Sequence, residues 1–368
     1  MKIVVTGSKG FIGKNLCMML RECGYEDVIE VDRATPKGVL CESLHSADFV
    51  FHLAGINRPK DEAEFHYGNT EYTQFILEEL SCSGKRVPVV LSSSIQAKQD
   101  NAYGISKRLA EQLVEKYGNK TQSPYFIYRF PNVFGKWCRP NYNSFVATFC
   151  HNILNELDIK INDPEAVVTL VYIDDVCSSL IALLKGEDKS GYKRITPEYS
   201  TTVGDVARLL QNFKESRTNL ITEDVGSGLT RALYSTYLSY MKPEQFSYSI
   251  PSYGDHRGVF SEVLKTKSTG QFSYFTAHPG ITRGGHYHHS KNEKFLVLKG
   301  KALFRFENIE TSERYELYAD GGSPQIIETV PGWSHDITNI GDEEMIVMLW
   351  ANEIFDREAP DTVAFPLS

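Results

Sequence analysis

The sequence has no uninterrupted apolar run near the roughly 20 residues that a bilayer demands, so no membrane-spanning segment is expected. Its opening stretch, MKIVVTGSKGFIG, is too short an apolar run for a secretory signal and is broken by turn glycines. Positive charge is not in excess. Lys and Arg number 39 against 47 Asp and Glu, a net charge of −8, and such a field attracts neither nucleic acid nor an anionic membrane. A disulfide framework is also missing: the seven cysteines are odd in number, form no C-x-x-C pair and stop at Cys177. Reduced thiols, and hence a cytoplasmic location, are expected. Low-complexity tracts, long charge runs and internal repeats are absent as well, which argues against disorder and against a repeat architecture.

What is present is the composition of an ordinary folded chain, 41% hydrophobic and 23% charged over 368 residues, a length that suggests two domains. From KIVVTGSKGFIG onward, β-branched runs alternate with helix-spaced apolar segments. VIEVDR, ADFVFHLAG, VPVVLSSS and YFIYRF read as strands, with helices near Asn69–Leu80 and Ser106–Tyr117. Nearly continuous apolar strands between helices imply an α/β doubly wound parallel sheet covered on both faces. Past Met241 the texture becomes short alternating strands with Gly and Pro turns, the pattern of an antiparallel β-sandwich or barrel. Residues 1–243 and 244–368 are the expected domains, joined near Pro243. His256, His278, His286, His288, His289 and His335 all lie beyond that join.

TGSKGFIG places Gly7, Gly10 and Gly13 between a strand and a helix, where backbone N–H groups and the positive helix end can meet a pyrophosphate. Asp32 closes the next strand about twenty residues on, placed for a ribose hydroxyl, while Arg33 beside it suits a 2′-phosphate. With Lys9 in the loop, NADP(H) is favoured over NAD(H). Farther along, Tyr103 and Lys107 in NAYGISKRLAEQ share one helix face. A lysine cation near a phenol favours the phenolate, which suits proton exchange as a hydride moves to or from a carbonyl carbon.

These motifs, with HLAG (His52–Gly55), GNT (Asn69), LSSS (Leu91–Ser94), YRFPNVFG (Asn132) and VYIDDV (Asp174, Asp175), resemble the extended short-chain dehydrogenase/reductase family. The resemblance implies a Rossmann domain whose cofactor touches Gly7, Lys9, Gly10, Phe11, Ile12, Gly13, Asp32, Arg33, Leu53, Ala54, Gly55, Asn69, Tyr103 and Lys107. It makes Tyr103 the acid/base, Lys107 its tuning partner and Ser94 the hydroxyl that bonds the substrate carbonyl. Members of this kind act on nucleotide sugars. Arg129, Asn132 and Arg139 are candidates for the sugar side.

GGHYHHSKNEKFLVLKG, Gly284–Gly300, raises a separate question. His286 and His288 share one side of a strand, Glu293 follows, and PGWSHDITN adds His335. Three imidazoles and a carboxylate suit Zn²⁺ or another borderline divalent ion; a solvated hairpin is the alternative reading of the spacing. The pattern His286, His288, Glu293, Gly300, then Pro331, Gly332, His335, Asn339 resembles the cupin family, with the Pro–Gly turn shifted by one residue. DHRGVFSEV and GITRGGHYHH resemble the cupin-fold epimerases of 4-keto-6-deoxy nucleotide sugars. That likeness implies His286 as the base, assisted by Arg283, although a lysine commonly stands in those enzymes where this chain has Glu293. His286 cannot act as ligand and free base at once, and it is expected as ligand first and base second.

A ketone at C4 of a sugar acidifies the C3 hydrogen, and the same ketone is what a reductase consumes, so epimerisation must precede reduction. The whole arrangement resembles capsular polysaccharide biosynthesis enzymes that fuse a reductase to a cupin. It implies a UDP-linked 4-keto-6-deoxy amino sugar as substrate, C3 epimerisation followed by NADPH-dependent C4 reduction, a zinc ion and a homodimer. A reductase with a β domain that only binds metal or sugar is the rival, and a sugar-responsive binding protein is a third reading.

Overall fold

Ile3, Val4 and Val5 are consecutive on one strand and all completely buried. Neighbouring strand residues point to opposite faces, so this strand must be covered on both sides. The structure, a computed structural model, describes residues 1–367 and forms two compact units, the first comprising Met1–Leu210 and Ala232–Met241. In it, six parallel strands lie in the order Val28–Val31, Ile3–Thr6, Phe49–His52, Val89–Ser94, Tyr125–Phe130 and Gly191–Lys193. One face packs Ile3, Val5, Phe51 and Val90 against Leu16, Leu20, Val176 and Leu180, carried by the helices Phe11–Glu22 and Ile173–Ala182. The other packs Val4, Val50 and Leu91 against Leu44, Ile76, Leu80 and Val114. Each fully buried side chain of this kind contributes about 1.5–3 kcal/mol. This is the Rossmann-type layering expected.

The chain moves from Ile3–Thr6 to one neighbour and then returns to the other side for Phe49–His52. Such a reversal opens a crevice beyond the carboxyl ends of the strands. Two helices depart from the expected bounds. The helix foreseen from Ser106 begins at Ala102 and runs to Thr121, because the Asn101 side chain accepts the Gly104 N–H at 2.7 Å and caps it earlier. Tyr103 consequently sits in the first turn. The helix near Asn69 is preceded by a π-helical turn, His66–Glu71, before Tyr72–Cys82.

The second unit comprises Gln211–Arg231 and the chain from Lys242. One of its sheets contains Gly258–Thr266, Gly270–Ala277, Met345–Ala351 and Glu293–Lys299; the other contains Arg314–Asp320, Lys301–Asn308, Trp333–Asn339, Thr282–Tyr287 and Val363–Ala364. These named strands pair antiparallel. Phe275, Phe295, Val297, Phe304, Phe306, Ile337 and Val347 form the core that both sheets share. The all-β architecture agrees with the alternating texture of the sequence.

Candidate active sites

Gly7 has φ +70°, and a Cβ there would lie 2.8 Å from the Ala54 nitrogen. Only glycine lets the turn after the first strand press against the turn after the third. A cavity of about 1000 Å³ runs over these turns, lined by Gly7, Lys9, Gly10, Asp32, Arg33 and Leu53–Gly55. A neighbouring one of about 780 Å³ continues past Phe11, Ile12 and Gly13 to Ser94, Tyr103 and Lys107. The residues expected to hold a dinucleotide, Asn69 excepted, are therefore drawn together at the crevice. Asp32 also shapes its own loop, accepting the Ala34 N–H at 2.8 Å. Lys9 is bound to Glu30 at 3.0 Å, so its charge is partly committed. Asn69 is instead buried behind the crevice. It accepts from the Ile56 N–H at 2.8 Å and donates to the Ile56 carbonyl and the Ser106 hydroxyl, both at 3.0 Å.

Tyr103 is pushed above its ordinary pKa by burial, and a hydrogen bond with Ser94 partly opposes that rise. Lys107 is buried and donates to the Ser92 carbonyl at 2.9 Å. Burial lowers its ammonium to about 8, against the raising influence of Glu111. His52 lies nearby as a core polar group: its ring nitrogens meet the hydroxyls of Thr6 at 2.7 Å and Thr73 at 2.9 Å. Burial, and secondarily the Lys107 ammonium, lower it to about 3.

The three residues considered for the sugar side separate. Arg129 is held bidentate by Glu111, at 2.9 and 2.6 Å, and lies over the Tyr192 ring. Asn132 is exposed and donates to the Thr169 carbonyl at 3.2 Å. Arg139 is exposed with its guanidinium 5.4 Å from the Tyr142 ring centre, and both line the second cavity. Asp174 pairs with Lys136 at 2.5 Å.

In the β unit, a bulge between Gly284 and His286 sets His286 directly across from His335 on the adjoining strand. The ligand atoms of His286, His288, Glu293 and His335 all lie within 4.8 Å of one another. His288, Glu293 and His335 are buried, and His286 is half-buried. His288 Nδ1 donates to the Asp361 carbonyl at 2.5 Å, which leaves Nε2 with its lone pair toward the cluster. Glu293 Oε2 lies 3.4 Å from Nε2 of both His288 and His335, while Oε1 receives Lys291 at 2.8 Å. Burial alone would raise Glu293, but the two imidazoles and the Lys291 ammonium outweigh it and hold the carboxylate far below its usual range. His286 is lowered to about 4 by burial and then by His335.

Among the described residues, neither ring nitrogen of buried His335 has a hydrogen-bond partner. A buried polar atom left so is costly, and a divalent ion would remove that cost. The donor set of three imidazoles and one carboxylate fits Zn²⁺. Arg283 stands three residues before His286, its Nε donating to the Thr276 carbonyl at 3.0 Å and its guanidinium over Phe275. Burial, then Arg257, lowers its pKa. Asn339 is structural in this setting, donating to the Ala277 and Glu343 carbonyls at 2.9 and 2.8 Å.

Sequence reasoning overlooked Glu111, Lys291 and Asp361. Glu111 continues the four-residue spacing of Tyr103 and Lys107, a usable signal. Lys291 lies within the histidine stretch, two residues before Glu293. Asp361 offers no local signal, being 73 residues from the imidazole it holds.

Comparison with known proteins agrees with both halves. Residues 3–195 match the NAD dependent epimerase/dehydratase family, and residues 253–363 match the polysaccharide biosynthesis C-terminal domain. The chain is 53% identical over 365 residues to a UDP-2-acetamido-2,6-beta-L-arabino-hexul-4-ose reductase of Pseudomonas aeruginosa, covering 99% of this chain and 98% of that protein. The crystal structure of the capsular polysaccharide assembling protein CapF from Staphylococcus aureus superposes with TM-score 0.92 at 41% identity, each chain fully covered. A UDP-glucose 4-epimerase of Thermus thermophilus, in complex with NAD, shares the fold of the first unit's type at TM-score 0.54 and 18% identity, covering 65% of this chain and 99% of that one. By its sequence, its layering and its glycine crevice, the chain belongs to the NAD dependent epimerase/dehydratase family and carries a polysaccharide biosynthesis C-terminal domain.

Proposed function

We infer that this protein is a bifunctional sugar-nucleotide enzyme. Its β unit epimerises C3 of a UDP-2-acetamido-2,6-dideoxy-4-hexulose, and its Rossmann unit then reduces the C4 ketone with NADPH to a UDP-2-acetamido-2,6-dideoxy-L-talose, on the route to UDP-N-acetyl-L-fucosamine. The observation that carries the reductase half is the convergence of Ser94, Tyr103 and Lys107 on a cavity that also holds the glycine turns. The relative from Pseudomonas aeruginosa, named as a 4-keto sugar reductase, supports the substrate class.

In this reading Ser94 and Tyr103 bond the ketone oxygen, and Tyr103 gives up its phenolic proton as the oxygen takes on negative charge. The glycine turns would hold NADPH, Arg33 would favour its 2′-phosphate, and the cofactor when bound would supply the hydride. Lys107 keeps a positive charge near the phenol.

The β unit acts earlier, because reduction destroys the carbonyl that acidifies C3. His288, Glu293 and His335 would hold a zinc ion, which when bound would supply a Lewis acid at a carbonyl oxygen. His286 is the half-buried member of the four, which favours it as the base that takes the C3 proton while the three buried residues serve as ligands. The protein works as a cytoplasmic homodimer.

A β unit that merely binds metal or sugar is the rival reading. Incubation with the 4-keto substrate in deuterium oxide, without NADPH, separates the two: the epimerase places deuterium at C3. If no label enters, the β unit is not an epimerase. Light scattering checks the dimer.

A further inference from the structure

The three serines ending the strand Val89–Ser94 each engage a different residue of one helix stripe. Ser94 bonds Tyr103, the Ser92 carbonyl accepts from Lys107, and the Ser93 hydroxyl donates to Glu111. Tyr103, Lys107 and Glu111 are spaced four apart on the helix Ala102–Thr121, hence stacked along one face. Glu111 is 1% exposed. Ser93 and Arg129 Nε occupy its Oε1, and Arg129 Nη2 and the Tyr192 hydroxyl occupy its Oε2. Donors thus surround a carboxylate that would otherwise be expensive to bury. With both oxygens taken, Glu111 has no capacity left for a ligand. What it offers is a fixed negative charge one helical turn from Lys107.

Lys107 needs that charge. Buried beneath Asn69 and Gly55, it is faced by His52, which is neutral at working pH, and by Glu111. Around Glu111 the charged or titratable groups are Arg129, Tyr192 and, more remotely, Glu115. Among these, Glu111 is the anion that favours the ammonium form of Lys107.

We propose that the buried Glu111–Arg129 pair is a positioning device for the reductase centre: it ties Ser93, and through it Ser94, to the helix bearing Tyr103, and it fixes a carboxylate one helical turn from Lys107. The inference rests on the reductase reading above. Its test is the pH profile of kcat/KM for ketone reduction, which reports groups of the free enzyme. Glu111→Gln is expected to move the alkaline limb down by about one pH unit, giving roughly tenfold less activity than wild type at pH 9 and about twofold less at pH 7. A role in folding alone lowers the curve without moving the limb, and a limb that stays in place overturns the proposal. Should Glu111→Gln not fold, Glu111→Gln/Arg129→Met leaves no unpaired buried charge and carries the same expectation and the same overturning result. Tyr103→Phe run in parallel separates the layers. If it retains reductase activity the reading of the centre fails, whereas an inactive Tyr103→Phe with an unmoved Glu111→Gln limb sinks only the positioning role.

Discussion

His286 and His335 face each other across two antiparallel strands with ring centroids 4.8 Å apart, and a bulge beside Gly285 puts them there. The His335 imidazole, whose ring nitrogens have no hydrogen-bond partner among the described residues, would be satisfied by an ion shared with His288 and Glu293. Protein purified without chelator is expected to carry about one zinc per chain by elemental analysis. His335→Ala should lose most of it and unfold at a lower temperature, since ion binding to the native state adds to stability. Full metal content in that variant would rule out the cluster as the binding site.

The two chemistries should come apart by mutation. Tyr103→Phe removes the transferable proton and is expected to cut ketone reduction by about 10²-fold or more, while deuterium entry at C3 continues. His286→Ala should show the converse, with no label at C3 and intact reduction of an already epimerised ketone. Loss of both activities in either variant would contradict independent sites.

Gly7 tests the cofactor crevice. At φ +70°, with the Ala54 backbone where a Cβ would stand, Gly7→Ala must force the two turns apart. NADPH affinity, followed by its fluorescence, is expected to fall by more than about tenfold, the equivalent of 1.4 kcal/mol. Unaltered affinity would move the pyrophosphate elsewhere.

His52 makes a pH prediction. Its native pKa of about 3 lies below the ordinary 6.5, so between those values the unfolded chain binds more protons and stability rises with pH. The contribution is complete above pH 6.5 and is lost as pH falls toward 3, with a slope of at most about 1.4 kcal/mol per pH unit. Urea unfolding from pH 7 to 4 should show this loss, and His52→Gln should flatten it. An unchanged slope in the variant would assign the acid sensitivity to other groups.

Much of the candidate chemistry was legible because it is local. Gly7, Gly10 and Gly13 sit where one strand passes into one helix, Tyr103 and Lys107 within one helical turn, and His286, His288 and Glu293 within one short stretch of chain. Backbone periodicity converts such spacing into shared faces. Arg129 shows the limit: an arginine on a strand near a substrate region looks available, yet Glu111 binds it through both oxygens. Partners chosen across the fold leave no mark in the spacing.

The amino-acid order alone determined that apolar strands and helices alternate before short antiparallel strands take over, and which turns carry glycine and histidine. Only the tertiary structure decided that His335 joins His286, that the Asp361 carbonyl orients His288, and that three successive serines meet one helix stripe. The physical reason is range. Dihedral preference and hydrophobic period act between residues a few positions apart, whereas a buried polar group takes whichever partner close packing brings to it.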